Sequence, residues 1–292
     1  MILAKGTAFI NPLTKIFTMK IDYADALKSG LKFCIQPKRW LPFFITDLAF
    51  ASVGLIVLLS NIDSLLYFLS GLENPVYMGP ALGIFLSLIG LFAGWVLINI
   101  WINGAVIHQS LKEKEFDKSW RVSKSKYLSL LAVGVITTFI SICGNIIFGA
   151  IPYAGGALTI VFSILVAIIF FFPYQSVIVK GNGFYKALED SVKIFKRMPF
   201  TISVAWLMIT VISFILALAF AIPLLALVLR TFLEASAGGT VSAAMSMIFS
   251  IQADLTMFIV AGIIFLLGMA IVRAFSLKAQ TEFYLQIKKH RG

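Results

Sequence analysis

Charge is what this sequence has least of: Asp, Glu, Lys and Arg make up only 13% of its 292 residues, against 60% hydrophobic. A soluble domain keeps about a quarter of its residues charged, so a water-solvated globule is excluded and lipid is the main solvent. Histidine and cysteine occur twice each. Metal catalysis draws on three or four converging His, Cys or carboxylate ligands, and His108 and His290 do not cluster with the cysteines in any such pattern. A Ser-His-Asp arrangement would need one of the same two histidines; His290 belongs to the tail and His108 reads as an interfacial residue. Cys34 and Cys143 are far apart, one beside a membrane face and one inside an apolar run, and read as free thiols rather than a disulfide framework. A Walker-type loop and a Gly-rich dinucleotide fingerprint are also missing, Gly181 and Gly183 forming a turn. The sequence therefore implies no catalytic residue, no cofactor and no metal.

Long apolar runs are what it has in place of charge. A spanning helix needs about 20 apolar residues to cross the ~30 Å hydrocarbon layer, and six runs qualify, at about 41–60, 81–108, 127–150, 157–179, 201–229 and 255–275. The expected fold class is an all-α membrane protein with six transmembrane helices. It is preceded by an N-terminal segment, 1–40, carrying an interfacial helix, and followed by a basic tail, 276–292. The start, MILAKGTAFINPLTKIF, lacks an uninterrupted apolar core before a small-residue cleavage site and is not read as a signal peptide.

The net charge of +11 has to be located before it is interpreted. Lys and Arg number 7 in residues 1–40, 6 in 109–126, 5 in 180–198 and 5 in 273–292, leaving only Arg230 elsewhere. These segments alternate with stretches almost free of basic residues, such as 61–78, which holds Asp63 and Glu73. That alternation is the positive-inside pattern of a multi-pass cell-membrane protein with both termini cytoplasmic. The charge is thus a topology signal rather than a nucleic-acid site. The partners it suggests are membrane lipids of an anionic cytoplasmic leaflet, with a membrane-protein partner or a second copy as the further possibility.

Along the chain, Asn11-Pro12 marks a turn, and Tyr23, Ala26, Leu27, Gly30, Leu31 and Cys34 repeat at helical spacing, an interfacial helix ended before Pro37. Lys38, Arg39 and Trp40 are placed to anchor the first span, with Asp47 a turn and a half inside as a solvated or paired carboxylate. In the second span Gly83, Ser87, Gly90 and Gly94 form a small-residue face suited to helix packing. Asn99 and Asn103 follow one turn apart, and amides in lipid need partners. Asn145 is the most buried-looking polar residue of the third span. Asp47, Asn99, Asn103, Asn145 and Gln175 together are the candidate lining of a polar cavity.

Pro173 lacks an amide hydrogen and frees the carbonyl of Ile169, so a break is expected there, with Gln175 a candidate to satisfy it. After the Gly-Asn-Gly turn, Phe184, Ala187, Leu188, Ser191, Val192 and Phe195 form one face opposite Lys186, Glu189, Asp190, Lys193, Lys196 and Arg197. This helix should lie on the anionic leaflet, with Lys186, Lys193, Lys196 and Arg197 the candidate lipid-surface contacts. Pro223 is expected to interrupt the fifth span. Residues 231–250 are compatible with a loop, a surface helix or a re-entrant segment.

A degenerate pattern recurs three times: Tyr23, Ala26, Leu27, Gly30; Phe116, Ser119, Trp120, Ser123; and Phe184, Ala187, Leu188, Ser191. Each copy precedes a pair of spans, so the chain reads as three units of surface helix plus helical hairpin. The stretch with Pro173, Gly181, Ala187-Leu188 and Ser191 resembles a motif in a broad group of polytopic proteins. That group includes the membrane domain beside some bacterial glycerophosphoryl diester phosphodiesterases and many uncharacterised six-helix proteins of archaea and bacteria. The resemblance implies a six-helix membrane domain. An acidic residue often precedes the glycine in that group; here the position is Lys180, and the diesterase activity is not carried over. Three functions are weighed: a non-enzymatic accessory or scaffold component binding lipids or membrane proteins, a transporter or channel for a small solute or lipid, and an enzyme acting on lipid head groups. The first fits best, because surface helices and packing faces are present and converging titratable groups are not.

Overall fold

The computed structural model describes residues 21–62, 64, 75–236 and 254–289. The Asn11-Pro12 turn, Asp63, Glu73, most of the 231–250 segment and His290-Arg291 lie outside the described residues. Within them the chain forms ten helices: α1 Tyr23–Cys34, α2 Pro37–Leu59, α3 Pro75–Leu111, α4 Phe116–Ser125, α5 Tyr127–Gly149, α6 Gly155–Ile169, α7 Pro173–Lys180, α8 Phe184–Arg197, α9 Pro199–Ser236 and α10 Leu255–Lys289. Six helical stretches are long and apolar enough to cross a membrane, α6 and α7 together making the fourth. The short helices α1, α4 and α8 carry or adjoin the basic segments, and the end of the bundle they cover is the basic face.

Local chemistry explains the boundaries. Asp22 caps α1, its carboxylate accepting the Asp25 N–H at 2.9 Å, the usual way a first-turn donor is satisfied. Pro37 opens α2 at a position where its missing N–H costs nothing. The fourth span is broken as its proline requires, α6 stopping at Ile169 and α7 starting at Pro173. The Ile169 carbonyl is satisfied by Ser191, whose hydroxyl donates to it at 2.7 Å and accepts the Phe172 N–H at 3.3 Å. Gln175 plays no part in this; its Nε2 donates to Gln280 Oε1 at 3.0 Å. Gly181 ends α7 in the left-handed region, φ +70°, which only glycine enters cheaply. Pro223 does not interrupt the fifth span: α9 continues through it.

Each surface helix is seated on the second span of the unit before it. On α4, Ser123 donates to the Trp101 carbonyl of α3 at 2.6 Å, and the Trp101 and Trp120 rings stand 5.2 Å apart. On α8, Ser191 fills the α6–α7 break. On α1, Gly30 lies so close to α10 that a Cβ there would sit 3.0 Å from the Phe275 ring and 3.2 Å from Ala279. The first unit therefore docks on the last span, and the three units close into a ring at the basic face. A second repeat accompanies this closure: the seating spans carry Gln109-Ser110, Gln175-Ser176 and Gln280-Thr281 at matching places, all buried except the half-buried Gln280.

The main core lies at this face. Phe33, Phe172, Ile194, Phe275, Phe283, Tyr284 and Ile287 are all but fully buried in one cluster. The expected tail is thus corrected as far as Lys289: α10 runs on to that residue and packs against α1. Two face assignments also change. Among the described residues, the stripe glycines Gly83 and Gly90 face open space and Gly94 approaches Phe50. In α8 the buried residues are Ala187, Ser191 and Ile194, and Asp190 turns inward instead of lying with the exposed charges.

Candidate functional site

Asp47 on α2, Trp95 and Asn99 on α3 and Arg273 on α10 converge inside the bundle. Arg273 Nη1 donates to Asp47 Oδ1 and to Asn99 Oδ1, both at 3.0 Å. Trp95 Nε1 donates to the same Asp47 oxygen at 2.7 Å, and Asn99 Nδ2 returns a bond to the Trp95 carbonyl at 2.9 Å. The guanidinium lies 5.0 Å from the Trp95 ring centre and 6.0 Å from that of Phe43, contacts that favour a planar cation. The Asp47 side chain is only 3% exposed, whereas that of Arg273 is 26% exposed. The pair is therefore sided: carboxylate behind, guanidinium in front.

In front of Arg273 is a groove of about 550 Å³ between α3 and α5, closed at one end by Tyr174 of α7. That is within the size range of small-molecule sites. Asn99, Asn103, Tyr174 and Arg273 supply its polar end. The opposite wall is a stripe of α5, Val135, Phe139 and Ile142, which remain 57%, 65% and 51% exposed. Gly134 makes the polar end accessible to Tyr174, because a Cβ there would lie 2.7 Å from the phenol oxygen.

The five residues expected to line one cavity divide into three groups. Asn99 and Asn103 line the groove, and Asp47 stands behind it, bonded to Arg273. Asn145 is elsewhere, accepting from Ser163 at 3.1 Å between α5 and α6, and Gln175 faces Gln280. Lys186, Lys193, Lys196 and Arg197 are exposed on α8, with Lys193 paired to Glu189 at 2.6 Å. His108 is buried rather than interfacial, its Nδ1 lying 2.9 Å from Ser119 Oγ. Arg39 also turns inward, donating to Gln109 Oε1 and the Glu113 carbonyl.

Arg273, Trp95 and Tyr174 were not singled out from the sequence. Arg273 was counted among the charges of the C-terminal basic segment. The signal that could have found it is its isolation between the apolar runs MAIV and AFSL.

A second polar centre joins α7, α8 and α10 at the basic face. Asp190 accepts from Lys180 at 2.8 and 2.9 Å, from Tyr284 at 2.8 Å and from Ser176 at 3.1 Å. Burial pushes its carboxyl up, but the bonds from Lys180, Tyr284 and Ser176 outweigh burial and hold it below the usual carboxylate range. Asp190 is on α8 and its donors come from α7 and α10, so it fastens the α7–α8 joint to α10. Cys34 and Cys143 are free, the first buried and the second half-buried.

The architecture defines a multi-pass helical membrane protein. No protein-family model, curated protein or solved structure matches the chain.

Proposed function

We propose that this protein is a non-enzymatic accessory component of the cell membrane that binds lipid in the α3–α5 groove, its basic face turned to the cytoplasm. The observation that carries this reading is the height of the groove's polar end. Asn103 adjoins Gly104, whose Cα faces Ser123 of α4. Tyr174 is two residues from Phe172, which bonds Ser191 of α8, and Arg273 is two residues from Phe275, against which Gly30 of α1 rests. All three polar groups thus stand at the level of the docked surface helices, where amphipathic helices meet the head-group region. From there the Val135-Phe139-Ile142 stripe runs toward the opposite side of the bundle, rising about 1.5 Å per residue. A lipid has this same order of parts, a polar head at the interface and a chain directed inward. The exposed Lys186, Lys193, Lys196 and Arg197 would hold the same face against anionic lipids, each contributing about 1 kcal/mol.

Transport is the weaker reading. Discontinuous helices in transporters turn freed carbonyls toward a substrate path, whereas the Ile169 carbonyl accepts from Ser191 and so seats a surface helix. Native mass spectrometry of the gently extracted protein tests the proposal. Wild type is expected to retain lipid at a defined stoichiometry, and Val135→Trp with Ile142→Trp, which fill the groove from exposed positions, to release it. Retention unchanged in the double variant would overturn the assignment to this groove.

A further inference from the structure

We infer that the groove selects lipids whose head ends in an anionic oxygen group, a carboxylate or a phosphate monoester, and that Arg273 is the residue that reads it. The inference rests on the proposed lipid-binding role and concerns which lipid is taken. An arginine carries five N–H donors in a rigid fork. The Nη1 nitrogen serves Asp47 and Asn99, while Nη2 and Nε have no acceptor among the described residues. These two nitrogens form the edge that grips carboxylate or phosphate in a bidentate manner.

The Arg273 side chain is 26% exposed toward the groove, and donors of a charged group are better served by acceptors than by apolar atoms, so a ligand that supplies acceptors there is favoured over one that supplies only methyl groups. The guanidinium carbon lies over the Trp95 and Phe43 rings, 5.0 and 6.0 Å from their centres, and the Nη1 bonds to Asp47 and Asn99 fix the opposite edge. Asp47 does not cancel the selectivity, because its single bonded oxygen approaches from behind and the carboxylate is itself buried.

Two further polar groups line the same end and have no hydrogen-bond partner among the described residues, the Asn103 amide and the Tyr174 hydroxyl. Each can donate to an anionic oxygen. A trimethylammonium head would instead bring a second cation and bulky methyl groups toward Arg273, so zwitterionic choline lipids should be the poor ligands.

The test is competitive native mass spectrometry on the full chain, delipidated and then offered equal amounts of dioleoyl phosphatidic acid and dioleoyl phosphatidylcholine, with oleate as a second anionic probe. Wild type should take the two anionic lipids at least tenfold more than the choline lipid. Arg273→Gln should bring that ratio close to one. Because that change leaves Asp47 unpaired, Asp47→Asn/Arg273→Gln removes both charges together, and Asn103→Leu and Tyr174→Phe, which spare the pair, should each lower the ratio severalfold. A wild-type ratio near one, with lipid still lost on filling the groove, overturns the selectivity while leaving the groove as a lipid site. A ratio unchanged in the charge-free pair and in both flanking variants overturns Arg273 as its reader. Lipid retention unaffected by Val135→Trp/Ile142→Trp removes the underlying reading instead.

Discussion

Asp47 and Asp190 are both carboxylates withdrawn from water and both paired with a cation from another helix, yet their surroundings are opposite in kind. Asp190 has donors on each oxygen, from Lys180, Tyr284 and Ser176. Asp47 concentrates Trp95 and Arg273 on Oδ1, and its Oδ2 is buried without a partner among the described residues. The first arrangement is turned inward and fastens helices. The second holds a cation in place while leaving part of that cation facing a groove. Burial alone would not separate the two; the number and direction of the donors does.

The comparison is broken most directly by removing each carboxylate. Asp47→Ala strands the Arg273 charge inside the bundle and is expected to cost about 3–5 kcal/mol. Asp190→Ala should cost less, about 1–3 kcal/mol, because Lys180 ends α7 beside the Gly181 turn and its flexible stem can carry the ammonium to water, whereas Arg273 sits inside the run of α10. Unfolding of both variants in the same detergent measures the order, and a larger loss at Asp190 would reverse the interpretation. A sharper version replaces the whole intramembrane pair with apolar residues of similar volume. Asp47→Leu/Arg273→Met should recover stability to within about 1–2 kcal/mol of wild type or better while lipid retention stays low; if stability and retention return together, the pair's role is only structural.

Smaller effects are expected at the joint. Ser191→Ala removes the donor to the Ile169 carbonyl and should cost about 1–2 kcal/mol. Hydrogen exchange should quicken at Phe172, whose N–H loses its acceptor, and unchanged protection there would mean that another group serves the break. The pH dependence is the smallest effect. Asp190 has its carboxyl lowered on folding, so its contribution is full above the ordinary carboxylate range and is lost as pH falls through the folded value, below about pH 4. A thermal scan over that interval should show a steeper fall for wild type than for Asp190→Asn, and equal slopes would remove Asp190 from the acid response.

Much of the architecture was legible because its causes are local. Twenty-residue hydropathy locates a span without knowledge of its neighbours, and Pro173 breaks a helix by its own covalent structure. What answers each feature comes from elsewhere in the chain and was not legible. The Ile169 carbonyl finds Ser191 rather than the nearby Gln175, because the turn at Gly181 folds α8 back across the break. The Gly83-Ser87-Gly90 spacing identifies a smooth face but not what lies against it. The glycines in the tightest contacts, Gly104, Gly144 and Gly268, approach Ser123, Phe162 and Phe220 and share no spacing. Asp190 was placed with the exposed charges because a helical projection contains no Lys180. Half of the groove's polar end, Asn99 and Asn103, was readable as amides in an apolar run. Arg273 was not, since counting basic residues by segment assigns a charge to the nearest loop whatever the reach of the helix that bears it.

The seating of α1 on α10 has a consequence for biosynthesis. Asp22 and Gln286 exchange two hydrogen bonds, at 3.0 and 3.1 Å, between residues 264 apart in sequence, so α1 leaves the ribosome long before its seat on α10 does. At ribosomal speeds that interval is on the order of tens of seconds, and a twelve-residue helix is marginal by itself in water. The leaflet must shelter the apolar side of α1 through that interval. A nascent chain stalled before α10 would then have inserted its earlier spans while α1 still lacked its seat.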